Sequence, residues 1–342
     1  MPGGNPGESP SGNRPRVLVV GDVINDILVE TRGPLVEGTD NPAQIRSRPG
    51  GSAANQAAWM GHLGLDVVFA GRVGEADAEL HRAELSRFGV DTNLAADESV
   101  GTGSVVVLVG ADGERTMITD RGANLRLVAS DVPFGLLDGA ALLHLTGYTL
   151  VDPGPRPVAL GLIAQARRRG VPVSVDPGSS AFLARLEPGE FIRWTEGAAV
   201  CFPNRDEAGV LTGETDPAQM AISLSAHYGA VAVKLAADGA VLAARGAGTP
   251  AETGAETETG AGAGATGHPP EHFPALPAVV RDTTGAGDAF CAGFLAAWLA
   301  GAGLAGAMGA AAQAAAVAVA ALGGRPEPGQ RTTTRVPRSV AG

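Results

Sequence analysis

Short runs of consecutive apolar residues recur along the chain and alternate with longer segments in which apolar and polar residues mix. The short runs are typical of parallel strands buried on both faces, and the mixed segments are typical of helices with one buried face. This alternation predicts an α/β fold, with a mainly parallel sheet flanked by helices on both faces. The predicted strands cover 16–21, 65–70, 141–145, 171–175, 198–202 and 230–235, and the predicted helices cover 49–63, 74–88, 158–169, 204–211 and 217–228.

Two segments interrupt this alternation with a β pattern of their own. Residues 27–49 mix Ile, Leu and Val with Thr and Pro and predict a small β excursion. Residues 104–109 and 114–119 flank an Asp-Gly pair and predict a β-hairpin. We expect 27–49 and 102–121 to pair into a small β-sheet lid. One side of the hairpin is apolar and suits either a homodimer contact through the lid or a cover over the protein's own pocket: Val105, Val107 and Val109.

Three stretches have compositions that cannot support a packed core. Residues 1–15 are rich in Gly, Pro, Ser and Asn and lack the apolar run of a signal peptide, so they predict a disordered arm. Residues 246–272 consist largely of Gly, Ala, Thr and Glu and predict a disordered insert between two strands. Residues 329–342 predict a loose tail, which leaves one folded domain over 16–328.

Composition and charge exclude some classes of protein. The formal net charge is −11, whereas non-specific nucleic-acid binding needs a basic surface. No charged residue lies between Asp288 and Arg325, but glycines interrupt this Ala-rich stretch, so we expect two buried helices and no membrane span. Cys201 and Cys291 lie in apolar runs without metal-type spacing. They predict buried free thiols in a reducing compartment, which is typical of a cytoplasmic protein.

The stretch 281–290, Arg-Asp-Thr-Thr-Gly-Ala-Gly-Asp-Ala-Phe, carries the strongest chemical signal. A β-rich run at 278–280 precedes it, and an Ala/Leu/Phe run that predicts a helix follows it. Asp288, in the first turn of that helix, would be repelled by a bound phosphate, so it suits a base that takes a proton from an attacking hydroxyl. Small residues before it allow three backbone amides to converge on an anion at the helix N-terminus: Gly285, Ala286 and Gly287.

Such a turn can also be an ordinary helix entry with Asp as its N-terminal charge. A second polar cluster favours the functional interpretation. Asp26 follows the first predicted strand at its carboxyl end, where open α/β sheets place ligands, although it could also cap a turn. Gly50 and Gly51 allow close backbone approach to a ligand, and Asn55 offers both a donor and an acceptor.

Two motifs, in this order, resemble the signatures of the PfkB/ribokinase family of small-molecule kinases. The first is Gly-Gly-Ser-Ala-Ala-Asn-Gln-Ala at 50–57, and the second is Asp-Thr-Thr-Gly-Ala-Gly-Asp at 282–288. Three weaker elements agree with the family pattern: Asn-Arg-Asp-Glu at 204–207, Val-Lys-Leu-Ala-Ala-Asp-Gly-Ala at 233–240, and the first strand at 17–21 with Asp26 five residues after its glycine. The resemblance extends over 16–328 apart from the insert, and implies a ribokinase-like fold with a β lid.

The resemblance also implies a reaction, in which the γ-phosphoryl group of Mg-ATP passes to a primary hydroxyl of a sugar. Asp288 would be the general base, and the turn from Gly285 through Ala286 to Gly287 would be the anion hole. The acceptor sugar would be held by one residue after the carboxyl end of the first strand and by three residues of the first motif: Asp26, Gly50, Gly51 and Asn55.

On the nucleotide side, the resemblance places Asn204 and Glu207 near Mg²⁺ and the ATP phosphates, through water, and Lys234 and Gly239 along the nucleotide. The alternative for the first pair is a helix cap and a solvated charge. A monovalent cation, K⁺ in particular, would bind beside the anion hole. The positions that match its site are Asp282 and the backbone at Thr284.

The chain departs from ribokinases proper at acceptor-side positions, which puts ribose itself in doubt. Ribokinases have Lys where this chain has Ser52, Asn where it has Ile24, and a Glu at the end of the strand within 142–147. Ala236 replaces a glycine of the nucleotide turn. Because Ala disfavours positive φ, we expect an altered turn or a negative φ at this residue.

Three alternatives compete with a sugar kinase. Residues 38–45 are similar to actinobacterial family members associated with nucleosides, pseudouridine in particular, so a nucleoside kinase is the nearest alternative. A catalytically silent sugar-binding regulator would share the fold, but the intact Asp288 argues against it. A dinucleotide-dependent oxidoreductase is disfavoured because the first strand lacks the Gly-x-Gly-x-x-Gly fingerprint.

Overall fold

The computed structural model of the protein describes four segments: 14–31, 33–109, 115–245 and 268–327. Four predictions lie outside them, apart from residues at their ends. These are the disordered arm at 1–15, the Asp-Gly turn at 111–113, the disordered insert at 246–272 as far as residue 267, and the loose tail at 329–342.

Within these segments the chain forms thirteen strands, ten α-helices and four short 3₁₀ helices, which lie at Gly122–Arg126, Ala129–Asp131, Phe134–Leu137 and Ala236–Asp238. The strands are β1 (Arg16–Val20), β2 (Ile24–Thr31), β3 (Ala43–Gly50), β4 (Asp66–Gly74), β5 (Val90–Asp97), β6 (Gly103–Val109), β7 (Arg115–Asp120), β8 (Leu142–Thr146), β9 (Val173–Asp176), β10 (Val200–Cys201), β11 (Ala230–Lys234), β12 (Ala240–Ala244) and β13 (His268–Phe273). The helices are α1 (Ser52–His62), α2 (Glu75–Ser86), α3 (Tyr148–Val151), α4 (Arg156–Arg168), α5 (Ser180–Leu183), α6 (Glu190–Thr195), α7 (Arg205–Thr212), α8 (Pro217–Ser225), α9 (Ala286–Leu299) and α10 (Leu304–Val319).

The large sheet has the strand order β13-β12-β11-β10-β9-β8-β1-β4-β5. All neighbours from β11 to β5 are parallel, and β12 and β13 are added antiparallel at one edge. The strand order reverses between β1 and β8, and ligands of open α/β sheets bind outside the carboxyl ends of the strands at such a point. The predicted α/β architecture is confirmed.

Side chains alternate across the large sheet, so each face has its own apolar core. In β1, Val17 and Val19 pack with α1, α9 and α10 on one face, whereas Leu18 and Val20 pack with α4 and α8 on the other. The Ala-rich stretch forms two helices, as we expected, but only α9 is buried, whereas α10 buries one face and exposes the other. The two helices cross closely, because a Cβ at Gly293 would lie 2.7 Å from the carbonyl oxygen of Ala310. In the part of the chain that the structure describes, no helix has the length and apolarity to cross a membrane.

A separate four-stranded sheet, in the order β3-β2-β6-β7, forms the predicted lid. The hairpin of β6 and β7 pairs with the β2–β3 excursion through parallel contacts between β2 and β6. Val105 and Val107 line the protein's own cavity, and the side chain of Val109 is outside the described part. The opposite face of the lid is also apolar, with Ile45 and Ile118 strongly exposed.

Two local predictions are wrong. The β-rich run at 278–280 has no regular secondary structure, and Val279 is 79% exposed. β13 takes the edge position beside β12, and 278–280 pairs with no described strand. The same pairing shortens the predicted insert at 246–272, because its last five residues belong to β13 and satisfy their backbone groups against β12.

Candidate active site

The two sequence motifs meet at the Asp288 carboxylate. Asp288 lies in the first turn of α9, and the start of α1 donates three hydrogen bonds to it. The Ser52 hydroxyl donates to Oδ1 at 2.7 Å, the Gln56 amide donates to Oδ1 at 3.1 Å, and the Asn55 amide donates to Oδ2 at 3.1 Å. A carboxylate oxygen can accept two hydrogen bonds, so Oδ2 has room for one more donor.

The surroundings of Asp288 move the pKa of its carboxyl group close to neutral pH. Burial is the largest effect and raises the pKa of Asp288 to about 7; the nearby Asp176 acts in the same direction, and the hydrogen bonds from Ser52, Gln56 and Asn55 oppose both. A carboxyl group of ordinary pKa would be fully ionised at pH 7 and would be a weak base. Asp288 is therefore tuned toward the range in which a carboxylate works best as a general base.

The glycine turn before Asp288 is fixed by close packing. Gly285 has φ +75° and a Cβ there would lie 2.4 Å from the Cα of Gly324, so no other residue fits. Of the three amides expected to converge on an anion, that of Ala286 donates a long hydrogen bond, 3.3 Å, to the Thr283 carbonyl. A Cβ at Gly287 would lie 3.5 Å from Nζ of Lys234, which places a cation beside the turn.

A cavity of about 590 Å³ separates the lid from the carboxyl end of the large sheet. Asp26, Gly51 and Asn55 line it together with Asp288, as the prediction of an acceptor site requires. Gly50 lies directly behind Asp26, because a Cβ at Gly50 would be 2.1 Å from Oδ2 of Asp26. Only glycine allows that carboxylate to lie against the backbone.

The Asp26 carboxyl group is also perturbed. Burial raises its pKa to about 6, Asp22 adds to the rise, and Arg325 opposes it. Asp22 also lines the cavity, but its carboxylate is occupied by backbone groups of the protein. Its two carboxylate oxygens accept from the amides of Ser52 at 2.9 Å and Ala53 at 3.2 Å, so Asp22 holds the N-terminus of α1 in place.

Asn204 and Glu207 bind each other in this structure. The Asn204 side chain caps α7 by accepting from the Glu207 amide at 2.8 Å, and the Glu207 carboxylate accepts from the backbone and side chain of Asn204, both at 2.8 Å. Burial raises the pKa of Glu207 to about 7, against the effect of Lys234. The cap alternative therefore holds for Asn204, but the solvated-charge alternative for Glu207 is wrong, since Glu207 is 2% exposed. A role of the pair toward Mg²⁺ and ATP stays a prediction.

Lys234 lies beneath the site, in a buried polar network. Its Nζ donates to Oδ2 of Asp176 at 3.0 Å, and the same oxygen accepts from the Gln56 amide at 3.0 Å and from the Cys291 thiol at 3.3 Å. Because Gln56 also donates to Asp288, the network joins Lys234 to the candidate base. Burial favours the neutral amine, but Asp176 holds the pKa of Lys234 above its ordinary value.

The turn after Lys234 corrects one expectation. Ala236 adopts φ +53°, so neither an altered turn nor a negative φ replaces the usual glycine geometry. The turn closes through a hydrogen bond from the Leu235 amide to the Gly239 carbonyl, and this closure outweighs the local preference of Ala. Gly239 has φ +90° and packs on β13, since a Cβ there would lie 2.0 Å from the carbonyl oxygen of Phe273.

Asp282 organises the segment next to the glycine turn. Its Oδ1 accepts from the amide and hydroxyl of Thr284 at 2.9 and 2.7 Å, and its Oδ2 accepts from the Gly323 amide at 3.0 Å. Asp282 and Thr284 both line the cavity. Their predicted role at a monovalent cation stays a prediction.

Sequence reasoning assigned no role to several residues that the structure brings to the site. The positions of Asp22 and Asp176 could have indicated a role in the site, because each stands at the carboxyl end of a buried strand, where open α/β sheets bind ligands. Arg325 had a weaker signal, as the first charged residue after a long neutral stretch. Ser52 was noted only as a departure from ribokinases, and Gln56 lies inside the first motif but gave no sign that its amide would reach Asp288.

Solved structures with the same architecture include sugar kinases. The ribokinase of Arabidopsis thaliana, complexed with ribose and ATP, superposes with a TM-score of 0.71 at 26% identity, over 92% of this chain and 96% of that chain. A probable sugar kinase protein from Rhizobium etli gives a TM-score of 0.75 at 25% identity, over 92% and 95% of the two chains. The fold and the site thus define a small-molecule kinase with ribokinase-like architecture.

Sequence comparison identifies the family. The family model described as pfkB family carbohydrate kinase matches residues 14–329. The ATP-dependent ribose-1-phosphate kinase of Halopiger xanaduensis is 32% identical over 289 residues, which cover 83% of this chain and 85% of that protein. The chain belongs to the pfkB family of carbohydrate kinases and is a phosphotransferase, as the two motifs predicted.

Proposed function

We propose that the protein transfers the γ-phosphoryl group of ATP to a primary hydroxyl of a sugar bound in the cavity. One observation carries this proposal: the Asp288 carboxylate faces the cavity from the first turn of α9, with room for a donor at Oδ2. The acceptor oxygen attacks the γ-phosphorus, its proton passes to Oδ2 of Asp288, and the bond from phosphorus to the ADP oxygen breaks.

The acceptor site is supported by the groups around Asp288. Asp26 accepts hydrogen bonds from sugar hydroxyl groups, and the close packing at Gly50 and Gly51 brings backbone within reach of the sugar. Asn55 fixes the orientation of Asp288 through its amide while it lines the same space. The turn at the start of α1 therefore holds the base of α9 in place and lines the acceptor site at the same time.

The phosphate side depends on the turn and on oxygen ligands. The amides of Gly285, Ala286 and Gly287, at the N-terminus of a 14-residue helix, stabilise charge on the transferring group, and Ala286 releases its long bond to do so. The carboxylate of Glu207 and the amide of Asn204 are hard oxygen donors of the kind that fit Mg²⁺ bound mainly by phosphates and water. Lys234 and Gly239 lie along the nucleotide, and Asp282 and Thr284 hold K⁺.

We also propose that the protein is cytoplasmic. The cytoplasm supplies ATP and keeps thiols reduced, which suits the free cysteines Cys201 and Cys291.

A nucleoside acceptor is the second candidate, and the aromatic lining of the cavity favours it. Tyr148 and Phe182 both line the cavity and contact each other edge to face, with ring centroids 5.7 Å apart. Flat aromatic side chains beside a sugar site can stack on a base. A nucleoside would then place its base against these rings and its primary hydroxyl at Asp288.

A panel assay separates the candidates. ADP release would be measured with Mg-ATP, with and without K⁺, against pentoses, hexoses, sugar acids, polyols and nucleosides. Turnover with a sugar supports the proposal, and preferred turnover of a nucleoside replaces the sugar by the second candidate. ATP binding without turnover of any acceptor would contradict both and favour the regulator.

The pKa of Asp288 predicts the pH dependence of the reaction. Since burial raises this pKa to about 7, the protonated form persists to neutral pH and the base form grows in as pH rises through that value. We expect kcat/KM for the acceptor to rise toward alkaline pH with a midpoint near 7 and then level off. A profile that stays flat from about pH 5.5 to about pH 8.5 would contradict Asp288 as the base.

We also propose that the protein forms a homodimer through the outer face of the lid. Ile45 is 68% exposed and Ile118 is 57% exposed on this face, and a soluble monomer seldom exposes such a patch. Ile118→Lys is expected to halve the mass measured by light scattering. Met117→Lys is the matched control, because Met117 is the neighbouring residue on the cavity side of the same strand. A wild-type protein that is already monomeric would contradict the proposal.

A further inference from the structure

Two arginines at one end of the cavity, Arg48 and Arg325, form no ion pair with a described residue. Arg48 lies in β3, directly opposite Asp26 in the antiparallel register, and it is half-buried. It makes no ion pair or side-chain hydrogen bond with the part of the chain that the structure describes. Its Nη1 comes within 3.0 Å of the Cβ position of Gly323, so it approaches the segment that carries Arg325.

Arg325 is held by neutral groups only. Its Nε donates to Oδ1 of Asn55 at 3.2 Å and its Nη2 donates to the carbonyl oxygen of Gly50 at 3.2 Å. Its Nη1 is buried without an acceptor in the described residues. Burial lowers the pKa of Arg325 to about 10, with Glu84, Asp26 and Asp288 acting in the opposite direction. A buried cation without a paired anion is costly, and a ligand anion would remove that cost.

The other arginines of the cavity are already paired. Nη1 of Arg87 binds Glu84 at 2.8 Å, and Nε of Arg121 binds Asp152 at 3.2 Å. The unsatisfied positive charge is thus confined to Arg48 and Arg325, on the side where the chain returns from α10.

We propose that the acceptor carries an anionic group, a phosphate monoester or a carboxylate, which binds between Arg48 and Arg325. This inference rests on the proposed function, because the same molecule presents its hydroxyl to Asp288. The Asn55 amide bonds to Asp288 at 3.1 Å and to Arg325 at 3.2 Å, so a single amide group separates the base from the anion site. A compact sugar derivative spans that separation, and guanidinium groups are the side chains best matched to phosphate and carboxylate.

The test compares acceptors that share a skeleton and differ only in charge: a pentose with its phosphates, and an aldose with its aldonic acid. kcat and KM would be measured for the wild type, Arg325→Gln, Arg325→Lys, Arg48→Gln and the control Arg87→Gln. We expect the wild type to prefer one anionic member. Each Gln variant at 325 and 48 should raise KM for that member roughly 10- to 100-fold, with KM for ATP unchanged. For Arg325→Lys, KM for the anionic acceptor should lie between the values of the wild type and Arg325→Gln. For Arg87→Gln, the same KM should equal that of the wild type.

The failures of the two proposals are distinguishable. If the neutral sugars are turned over as well as their anionic partners, or if Arg325→Gln raises KM equally for both, the anion site is wrong and the kinase assignment stands. If no acceptor is turned over, the anion site can still be tested by measuring how acceptors shift the melting temperature of the protein in the absence of ATP. Stabilisation of the wild type by an anionic sugar, lost in Arg325→Gln, supports the anion site, and equal shifts in both proteins overturn it. Preference for the phosphate over the carboxylate, or the reverse, identifies the group.

Discussion

Asp288→Asn is expected to lower kcat by about 10³-fold while KM for ATP changes little. The substitution removes the proposed acceptor of the hydroxyl proton but keeps a side chain of the same shape between Ser52, Asn55 and Gln56. Folding should not suffer. The folded-state pKa of Asp288 is raised, so its ionised form is a cost to the folded protein at neutral pH, and asparagine removes that cost. Steady-state ADP release and thermal unfolding of the same preparations measure both effects.

Asp26→Asn is the matched control for this variant. It removes one carboxylate from the same cavity and the same charge from the acceptor site. In the proposed reaction Asp26 binds hydroxyl groups and does not receive the proton, so we expect the variant to change mainly KM for the acceptor. Equal losses of kcat in the two variants would show that the cavity needs its total charge and not a base at Asp288.

Lys234→Met is expected to lower the free energy of unfolding by about 3 to 5 kcal/mol. Lys234 is the only lysine in the sequence, and its Nζ is the cation that pairs with the buried Asp176 carboxylate. Removing it leaves that charge buried beside Gln56 and Cys291, with no cation to balance it. Urea unfolding followed by circular dichroism measures the loss.

The double variant Lys234→Met/Asp176→Asn separates structure from nucleotide binding. If the loss comes from an uncompensated carboxylate, removing that carboxylate should restore most of the stability. If Lys234 serves only the nucleotide, the single variant would unfold like the wild type and would raise KM for ATP alone. A single variant with wild-type stability would therefore contradict the buried network as the role of Lys234.

The parts of the fold that were predictable are those in which local pattern and environment agree. The continuous apolar runs of β1 and β8 can only be buried strands, and the Asp-Gly signal located the lid hairpin. The edge strand β5 was missed because Val90–Asp97 carries polar residues that resemble a loop, and pairing with β4 decides its structure. Ala236 shows the same principle, because the closed turn imposes a φ that its own preference opposes.

The candidate site was predictable only as far as its motifs. Asp288 and Asn55 stand in two recognisable motifs, and a hydrogen bond between their side chains brings the motifs together in the structure. The supporting contacts link positions that no local pattern relates, such as Gln56 with Asp176, which are 120 residues apart. Arg325 reaches the cavity only because α10 returns the chain over Gly285, a consequence of helix packing that composition does not encode.

Transfer of labelled phosphoryl groups tests the central claim most directly. ATP labelled with oxygen-18 on the γ-phosphoryl oxygens would be incubated with the protein and its best acceptor, and the product would be analysed by mass spectrometry. The account predicts an acceptor phosphate that carries the label and is bridged through the acceptor's own unlabelled oxygen, formed by the wild type and not by Asp288→Asn. Label recovered only in inorganic phosphate, or equal product from both proteins, would contradict it.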